Sequence, residues 1–122
     1  MPKEKDFNQV FQDLKAIIKP FEKDLVLKND ESDNYYLNTH YKREDGYVEA
    51  FGGVQVKKNY VSYHLMPVYA HPELLESISP ELKKRMQGKS CFNFTKTDAE
   101  MLKELEGLTR KGFEAFKKAN LV

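Results

Sequence analysis

The chain has 122 residues, with 20 Lys and Arg against 19 Asp and Glu and a single cysteine. This length predicts one domain, residues 1–122, with one hydrophobic core, and the near-neutral charge argues against a nucleic-acid partner. A single cysteine excludes an internal disulfide. The sequence shows neither a signal peptide nor a stretch of roughly 20 consecutive apolar residues, which predicts a cytoplasmic protein without a membrane partner.

The N-terminal part of the chain has the pattern of a helix followed by a short strand. Apolar residues recur at spacings of three and four from Phe7 to Ile18, which predicts an amphipathic helix that ends before Pro20. Residues 25–30, LVLKND, predict a short edge strand. Residues 31–34, ESDN, are typical of a turn.

The middle of the chain alternates in the manner of β-strands. Residues 35–41, 46–56 and 59–69 predict three strands, joined by the turns KREDG and KKN, that form an antiparallel meander. Gly52 and Gly53 lie inside the second strand, where glycines indicate a bulge or a close approach of another backbone. They lack the spacing of a phosphate-binding loop.

After the meander, the pattern indicates short helical segments and one more strand. Pro72 begins a helical turn, and Ser79 is the N-cap of a helix that ends at Gly88. Residues 89–94, KSCFNF, predict a late strand whose two phenylalanines face the core.

A long terminal helix follows a capping box formed by Thr97 and Glu100. Gly107 and Gly112 indicate that another element passes close to this helix. Its predicted buried stripe consists of Leu102, Leu105, Leu108, Thr109, Gly112, Phe113 and Phe116. The complete pattern predicts an α+β fold, in which a small antiparallel sheet carries an N-terminal helix and a long C-terminal helix on one face.

The sheet face that the helices leave open is the predicted location of the chemistry. Strand alternation puts Tyr60, Ser62, His64 and Met66 on that face. If Phe92 and Phe94 face the core, Cys91 and Asn93 point to the opposite side.

His64, Cys91 and Asn93 have the composition of a thiol hydrolase site, in which an imidazole takes the proton of the thiol and an asparagine orients the ring. No nucleophile signature surrounds Cys91, and strand cysteines are usually inert. These points argue against catalysis by Cys91 and leave His64 as a candidate hydrogen-bonding residue of a ligand pocket.

Basic and aromatic residues offer the parts of a pocket for an anionic ligand. Arg85 and Lys89 would bind the anion, and Tyr60, Tyr63 and Tyr69 would form an aromatic wall. The three histidines lack the spacing of a zinc site. The candidate ligand-binding residues are Tyr60, His64, Met66, Tyr69, Arg85, Lys89, Cys91 and Asn93.

Two long strings carry a resemblance to a known family. Residues 50–69, AFGGVQVKKNYVSYHLMPVY, and residues 79–94, SPELKKRMQGKSCFNF, resemble the YdhG-like family of small bacterial proteins, and the resemblance extends over residues 45–118. This is a domain of unknown function, some of whose relatives are described as frataxin-like iron chaperones. The resemblance implies a compact α+β domain with a terminal helix against a small antiparallel sheet.

The frataxin-like layout implies iron held by acidic residues on the N-terminal helix and a neighbouring strand. The candidate carboxylates here are Asp6, Asp13, Glu22 and Asp24, although no motif of the family carries a metal ligand over to any of them. Lysines are interleaved with them and dilute the acidic surface, whereas iron requires several converging oxygen ligands. No cofactor is required by this interpretation, and iron is the one that the resemblance suggests.

Three functional hypotheses follow. The leading one is a non-enzymatic binding or accessory domain, with frataxin-like iron binding as its most concrete version. The second is a pocket for a small anionic or aromatic ligand, or a weak enzyme, that uses His64, Cys91 and Asn93 on the open face. The third makes that face a homodimer interface, because Tyr60 and Met66 are costly to leave in water. The partner is thus a small molecule or another protein, and the chain is a monomer or a homodimer.

Overall fold

The computed structural model describes residues 7–42, 44, 46, 48–88 and 90–119. Within these residues the helices are α1 (Phe7–Ile18), α2 (Met66–Ala70), α3 (Pro80–Lys83) and α4 (Ala99–Lys118). The strands are β1 (Val26–Glu31), β2 (Asn34–Lys42), β3 (Val48–Val56), β4 (Val61–Leu65), β5 (Met86–Gln87) and β6 (Cys91–Phe94). Two 3-10 turns span Lys19–Asp24 and Pro72–Ser77.

The six strands form one open antiparallel sheet in the order β1-β2-β3-β4-β6-β5. The first four strands are consecutive neighbours, as the meander prediction required. β6 then pairs with β4, and the two-residue β5 pairs with β6 at the far edge. β1 is the other edge, also as predicted.

The helices pack on one face of the sheet, which confirms the predicted α+β class. α1 packs against β3 and α4, and α2 packs against both β3 and α4. Because side chains alternate along a strand, every second residue points into this layer. The fully buried strand residues include Tyr35, Leu37, Val54, Val61, Tyr63, Leu65, Phe92 and Phe94. None of the helices in the described part of the chain is long and apolar enough to cross a membrane.

Phenylalanine rings hold α4 to the centre of the sheet. The ring of Phe51 on β3 lies 6.0 Å from Phe113 and 6.1 Å from Phe116, measured between centroids. Phe21 of the first 3-10 turn lies 6.1 Å from Phe51 and 4.9 Å from Phe113. These contacts make Phe51 the residue that joins three elements of the core.

A buried hydroxyl pair adds a polar link between β4 and α4. Thr109 Oγ1 donates to the carbonyl of Leu105 at 2.8 Å, so the hydroxyl of Tyr63 is the donor across the 2.7 Å contact to Thr109. Burial raises the pKa of Tyr63, which keeps the phenol neutral. Tyr63 is therefore a core residue, and its predicted place in a ligand pocket is wrong.

The third strand of the meander ends earlier than predicted. β4 stops at Leu65, and Met66 begins α2 with Pro67 in its first turn. Proline has no N–H to donate to a neighbouring strand and is favoured at a helix start, so it ends the strand here. Met66 consequently packs against the core, which contradicts its predicted position on the open face. Tyr69 lies on α2 and is 56% exposed.

Gly88 does not end a helix, in contrast to the prediction. Ser79 is the N-cap, as expected, and accepts from the N–H of Leu82, but α3 ends at Lys83. Gly88 adopts a φ of +83° in the turn between β5 and β6, a conformation that favours glycine. Glycine is favoured at this position by the turn between two strands and not by the end of a helix.

The terminal helix is capped one residue later than predicted. Asp98 accepts from the N–H of Met101 at 2.8 Å, whereas Thr97 donates its hydroxyl to Asp13 on α1 at 2.8 Å. The predicted stripe of α4 is buried except for Leu102, which is partly buried.

The two glycines of α4 differ in their surroundings. A Cβ on Gly112 would lie 2.8 Å from Pro67 Cβ, so α2 does pass close to this position. A Cβ on Gly107 would have nothing within 4 Å, and the prediction of a close approach there is wrong.

Candidate functional site on the open face of the sheet

The face of the sheet opposite the helices carries a row of polar side chains. Alternation along the strands places them there, because their neighbours in the sequence are core residues. The row comprises Asn34, Tyr36 and Asn38 on β2, Gln55 on β3, Ser62 and His64 on β4, and Cys91 and Asn93 on β6.

Tyr36 and His64 meet across a glycine. Gly53 on β3 is the register partner of both residues, so the three stand in one row across three strands. The hydroxyl of Tyr36 lies 2.9 Å from Nδ1 of His64, and the ring centroids are 5.8 Å apart. A Cβ on Gly53 would collide with Cδ1 of Tyr36 and with the carbonyl oxygen of Tyr35. The absence of a side chain on Gly53 is what lets the phenol lie across the middle strand.

His64 is held neutral in a position where one ring nitrogen lacks a partner. Burial lowers the pKa of His64, because desolvation disfavours the imidazolium. Nδ1 faces Tyr36, whereas Nε2 is buried without a hydrogen-bond partner among the described residues. An unsatisfied buried polar group costs about 1–3 kcal/mol, and such groups are rare in native proteins. This nitrogen therefore marks His64 as the functional candidate on the face.

A pocket of about 270 Å³ lies beside this pair. Its walls come from β1, β2, β3 and β4, and they are polar except for two short apolar side chains. The lining residues are Lys28, Asn29, Tyr36, Asn38, Val48, Ala50, Gln55 and His64. Lys28 is thus the only formally charged residue at neutral pH in the described lining, and its Nζ lies 5.8 Å from the centroid of the Tyr36 ring.

Two register irregularities shape this pocket. On β1 the pairing shifts between Leu27 and Asn29, which leaves Lys28 as an extra residue. On β3 the partners of Leu37 and Asn38 are Gly52 and Ala50, so Phe51 is the extra residue. Such bulges redirect side chains: Phe51 stays in the core while Ala50 lines the pocket. Both predicted features of the glycine pair are present. The bulge lies at the adjacent Phe51, and the backbone of neighbouring strands approaches Gly52 and Gly53 closely.

The strands bring His64, Cys91 and Asn93 to one face, as the sequence predicted. His64 pairs with Cys91 and Ser62 with Asn93. Directly paired residues have Cβ atoms about 4.5–5.5 Å apart, so the thiol of Cys91 neighbours the imidazole. The residue that bonds the ring is nevertheless Tyr36, which the sequence analysis missed.

The other predicted ligand residues lie away from this pocket. Tyr60 belongs to the hairpin turn, where its carbonyl accepts from Lys57 at 2.7 Å, and it is about 13 Å along the strand from His64. Met66 and Tyr69 are on α2. Arg85 is exposed in the turn after α3, and its carbonyl accepts from Asn93 at 2.7 Å.

Lys89, the remaining predicted anion-binding residue, lies outside the described residues. Asp6, the first of the predicted iron ligands, lies outside them as well. Their assignments stay predictions.

Two of the described carboxylates in the predicted iron region already have partners. Asp13 accepts from the side-chain amide of Gln9 and from Thr97, both at 2.8 Å. Glu22 accepts from the hydroxyl of Tyr35 at 2.5 Å, and burial, followed by this carboxylate, raises the pKa of Tyr35.

Asp24 ends the first 3-10 turn. In the part of the chain that the structure describes, no three His, Cys, Asp or Glu residues form a group that could hold a metal ion. The described side chains thus do not fit a preformed iron site, and iron binding stays a prediction.

The lowered pKa of His64 predicts a specific pH dependence of stability. Because the folded pKa lies below the unfolded value of about 6.5, protonation favours the unfolded chain. The contribution of neutral His64 is complete above that value and declines as the pH falls toward the folded pKa. Urea unfolding at pH 7.5, 6.5 and 5.5 should show a steeper loss of stability for the natural protein than for His64→Gln. Parallel profiles would contradict this, since the variant retains every other titratable group.

Comparison with known proteins identifies no relative, so any functional conclusion rests on the geometry of the site. No family model, no curated protein and no solved structure matches the chain. The resemblance to the YdhG-like family, the bacterial origin that it implies and the choice between monomer and homodimer therefore stay predictions.

Proposed function

We propose that this protein is a non-enzymatic, cytoplasmic binding domain that holds a small-molecule ligand on the open face of its sheet, in the pocket beside His64. The observation that carries this proposal is the buried, unpartnered Nε2 of an imidazole that lines the pocket. A polar group kept in this condition has a cost in stability, and a role in binding accounts for its retention.

The pocket supports this function because its polar groups are already oriented. Tyr36 fixes the His64 ring through Nδ1, and Asn34 accepts from the side-chain amide of Gln55 at 3.3 Å. Groups that are held before the ligand arrives lose little conformational entropy on binding. The volume of about 270 Å³ lies near the lower end of the range of about 300–1,000 Å³ for drug-sized ligands, so the pocket suits a small molecule.

The pairing of the side chains supports binding over catalysis in this proposal. In a thiol hydrolase, the imidazole is oriented by one residue and takes a proton from the thiol. Here the orienting contact is the Tyr36 hydroxyl, and no nucleophile signature surrounds Cys91 in the sequence. Cys91 pairs with His64 on the side of β6 and is not among the residues that line the pocket, so the binding proposal gives the thiol no role.

The proposal is tested by a metabolite screen read out by nuclear magnetic resonance on isotopically labelled protein. The panel contains small carboxylic acids, amides, sugars and nucleobases, and the readout is the shift of each backbone amide signal. We expect at least one class to shift the amides of the pocket residues.

Two tyrosine variants on β2 provide the matched comparison. Tyr36→Phe removes the hydroxyl that orients His64, whereas Tyr41→Phe removes one from a residue that is 44% exposed and does not line the pocket. Binding should weaken in the first variant and not in the second. The proposal fails if no class shifts the pocket amides, or if the shifts lie elsewhere on the protein.

A further inference from the structure

We infer that the ligand of this pocket is a small carboxylate, bound with its charged end toward Lys28. This inference rests on the proposed binding function and assigns the chemical class of the ligand.

Charge complementarity selects an anion. Lys28 lines the pocket as its one formal charge, and no acidic residue is among the described lining residues. The register shift on β1 leaves Lys28 as the extra residue of a bulge, and its ammonium lies 5.8 Å from the centre of the Tyr36 ring. A cationic ligand would meet Lys28 without a carboxylate to balance it. An anionic ligand can pair with the Lys28 ammonium, for which the described lining residues supply no carboxylate.

Hydrogen bonding favours a carboxylate over the neutral amide of the same shape. The side-chain amides of Asn29, Asn38 and Gln55 carry N–H donors, and the Lys28 ammonium is a donor only. A carboxylate offers two acceptor oxygens and no donor, so it can accept from the Lys28 ammonium and from an amide N–H at the same time.

The apolar part of the lining limits the rest of the molecule. Val48 and Ala50 are the two aliphatic residues of the pocket, and both lie on β3. They offer contact to one short alkyl group. This contact favours a carboxylate that carries a short alkyl group.

The test compares two probes that have the same shape and differ in charge. Isotopically labelled protein is titrated with sodium lactate and with lactamide at pH 7 and constant ionic strength, up to about 100 mM. We expect lactate to shift the amides of pocket residues such as Tyr36, Asn38 and His64. Lys28→Gln should weaken lactate binding by about tenfold, which corresponds to the loss of one charge-assisted contact.

Lys58→Gln is the control variant, since Lys58 is exposed in the hairpin turn and does not line the pocket. It should leave the lactate response unchanged. Amide spectra of both variants show first that each is folded, which is expected because both lysines are exposed.

The remaining outcomes overturn the assignment in distinguishable ways. Equal responses to lactamide and lactate at the pocket, unaffected by Lys28→Gln, would refute the carboxylate and leave the binding function standing. Lactate shifts spread over surface lysines would identify nonspecific ion binding and refute the site. The absence of any lactate response at the pocket would also refute the carboxylate. The proposed binding function would fail as well only if the metabolite panel also gave no response at the pocket.

Discussion

Phe51→Ala is expected to lower the free energy of unfolding by about 3–5 kcal/mol, the range for removing a large buried aromatic side chain. Phe51 is fully buried, and its ring lies within 6.1 Å of Phe21, Phe113 and Phe116. The substitution opens a cavity where β3, α4 and the first 3-10 turn meet, and it removes three edge or tilted ring contacts. Because domains are stable by only about 5–15 kcal/mol, the variant should be close to unfolding at physiological temperature.

Urea unfolding followed by far-ultraviolet circular dichroism at low temperature measures this loss. Tyr69→Ala is the matched control, because it removes an aromatic ring from a residue that is 56% exposed. Exposed substitutions usually change stability by no more than about 0.5 kcal/mol. If the two variants lost similar amounts, the aromatic cluster would not be the centre of the core.

Gly53→Ala is expected to destabilise the protein by about 1–3 kcal/mol, the range for overpacking a site without free space. The new methyl group would collide with Cδ1 of Tyr36 and with the carbonyl oxygen of Tyr35. The backbone oxygen belongs to a paired strand and cannot move away without breaking the β2–β3 register. The substitution should also displace Tyr36 from His64 and weaken any ligand response at the pocket.

Gly107→Ala adds the same methyl group but is expected to stabilise the protein. Gly107 lies within α4, and a Cβ there would have nothing within 4 Å. Alanine is the better helix former by about 1 kcal/mol, so this variant should be more stable than the natural protein. Thermal unfolding of both variants tests the pair. A neutral or stabilising effect of Gly53→Ala would show that Tyr36 does not depend on that glycine for its place.

The candidate site was predicted only in part, and the missing part has a physical reason. Alternation along two strands was enough to place His64, Cys91 and Asn93 on one face, because side chains of a strand alternate strictly. Tyr36 was missed because it lies 28 positions from His64 in the sequence. Their contact depends on how β2 and β4 each pair with β3. The pair of glycines was the signal, since a residue without a side chain between two strands leaves room for a ring to cross.

Other differences arose where one local signal fits two structures. Thr97 and Asp98 are both good N-caps, and the contact of Thr97 with Asp13 on α1 decides which of them caps α4. Gly88 suits a helix end or a strand turn equally well, and the pairing of β5 with β6 decides between them.

The sequence by itself determined the elements whose signals are local: the period of α1, the alternation of β2, β3 and β6, and the stripe of α4. Each of these rests on contacts between residues near in the chain or on the burial of one face, so the pattern carries it. Only the tertiary structure decided the two bulges, the Tyr36 and His64 contact, and the pocket that Lys28 shares with them. These features depend on the register between strands, and shifting a strand by one residue would turn every side chain to the other face.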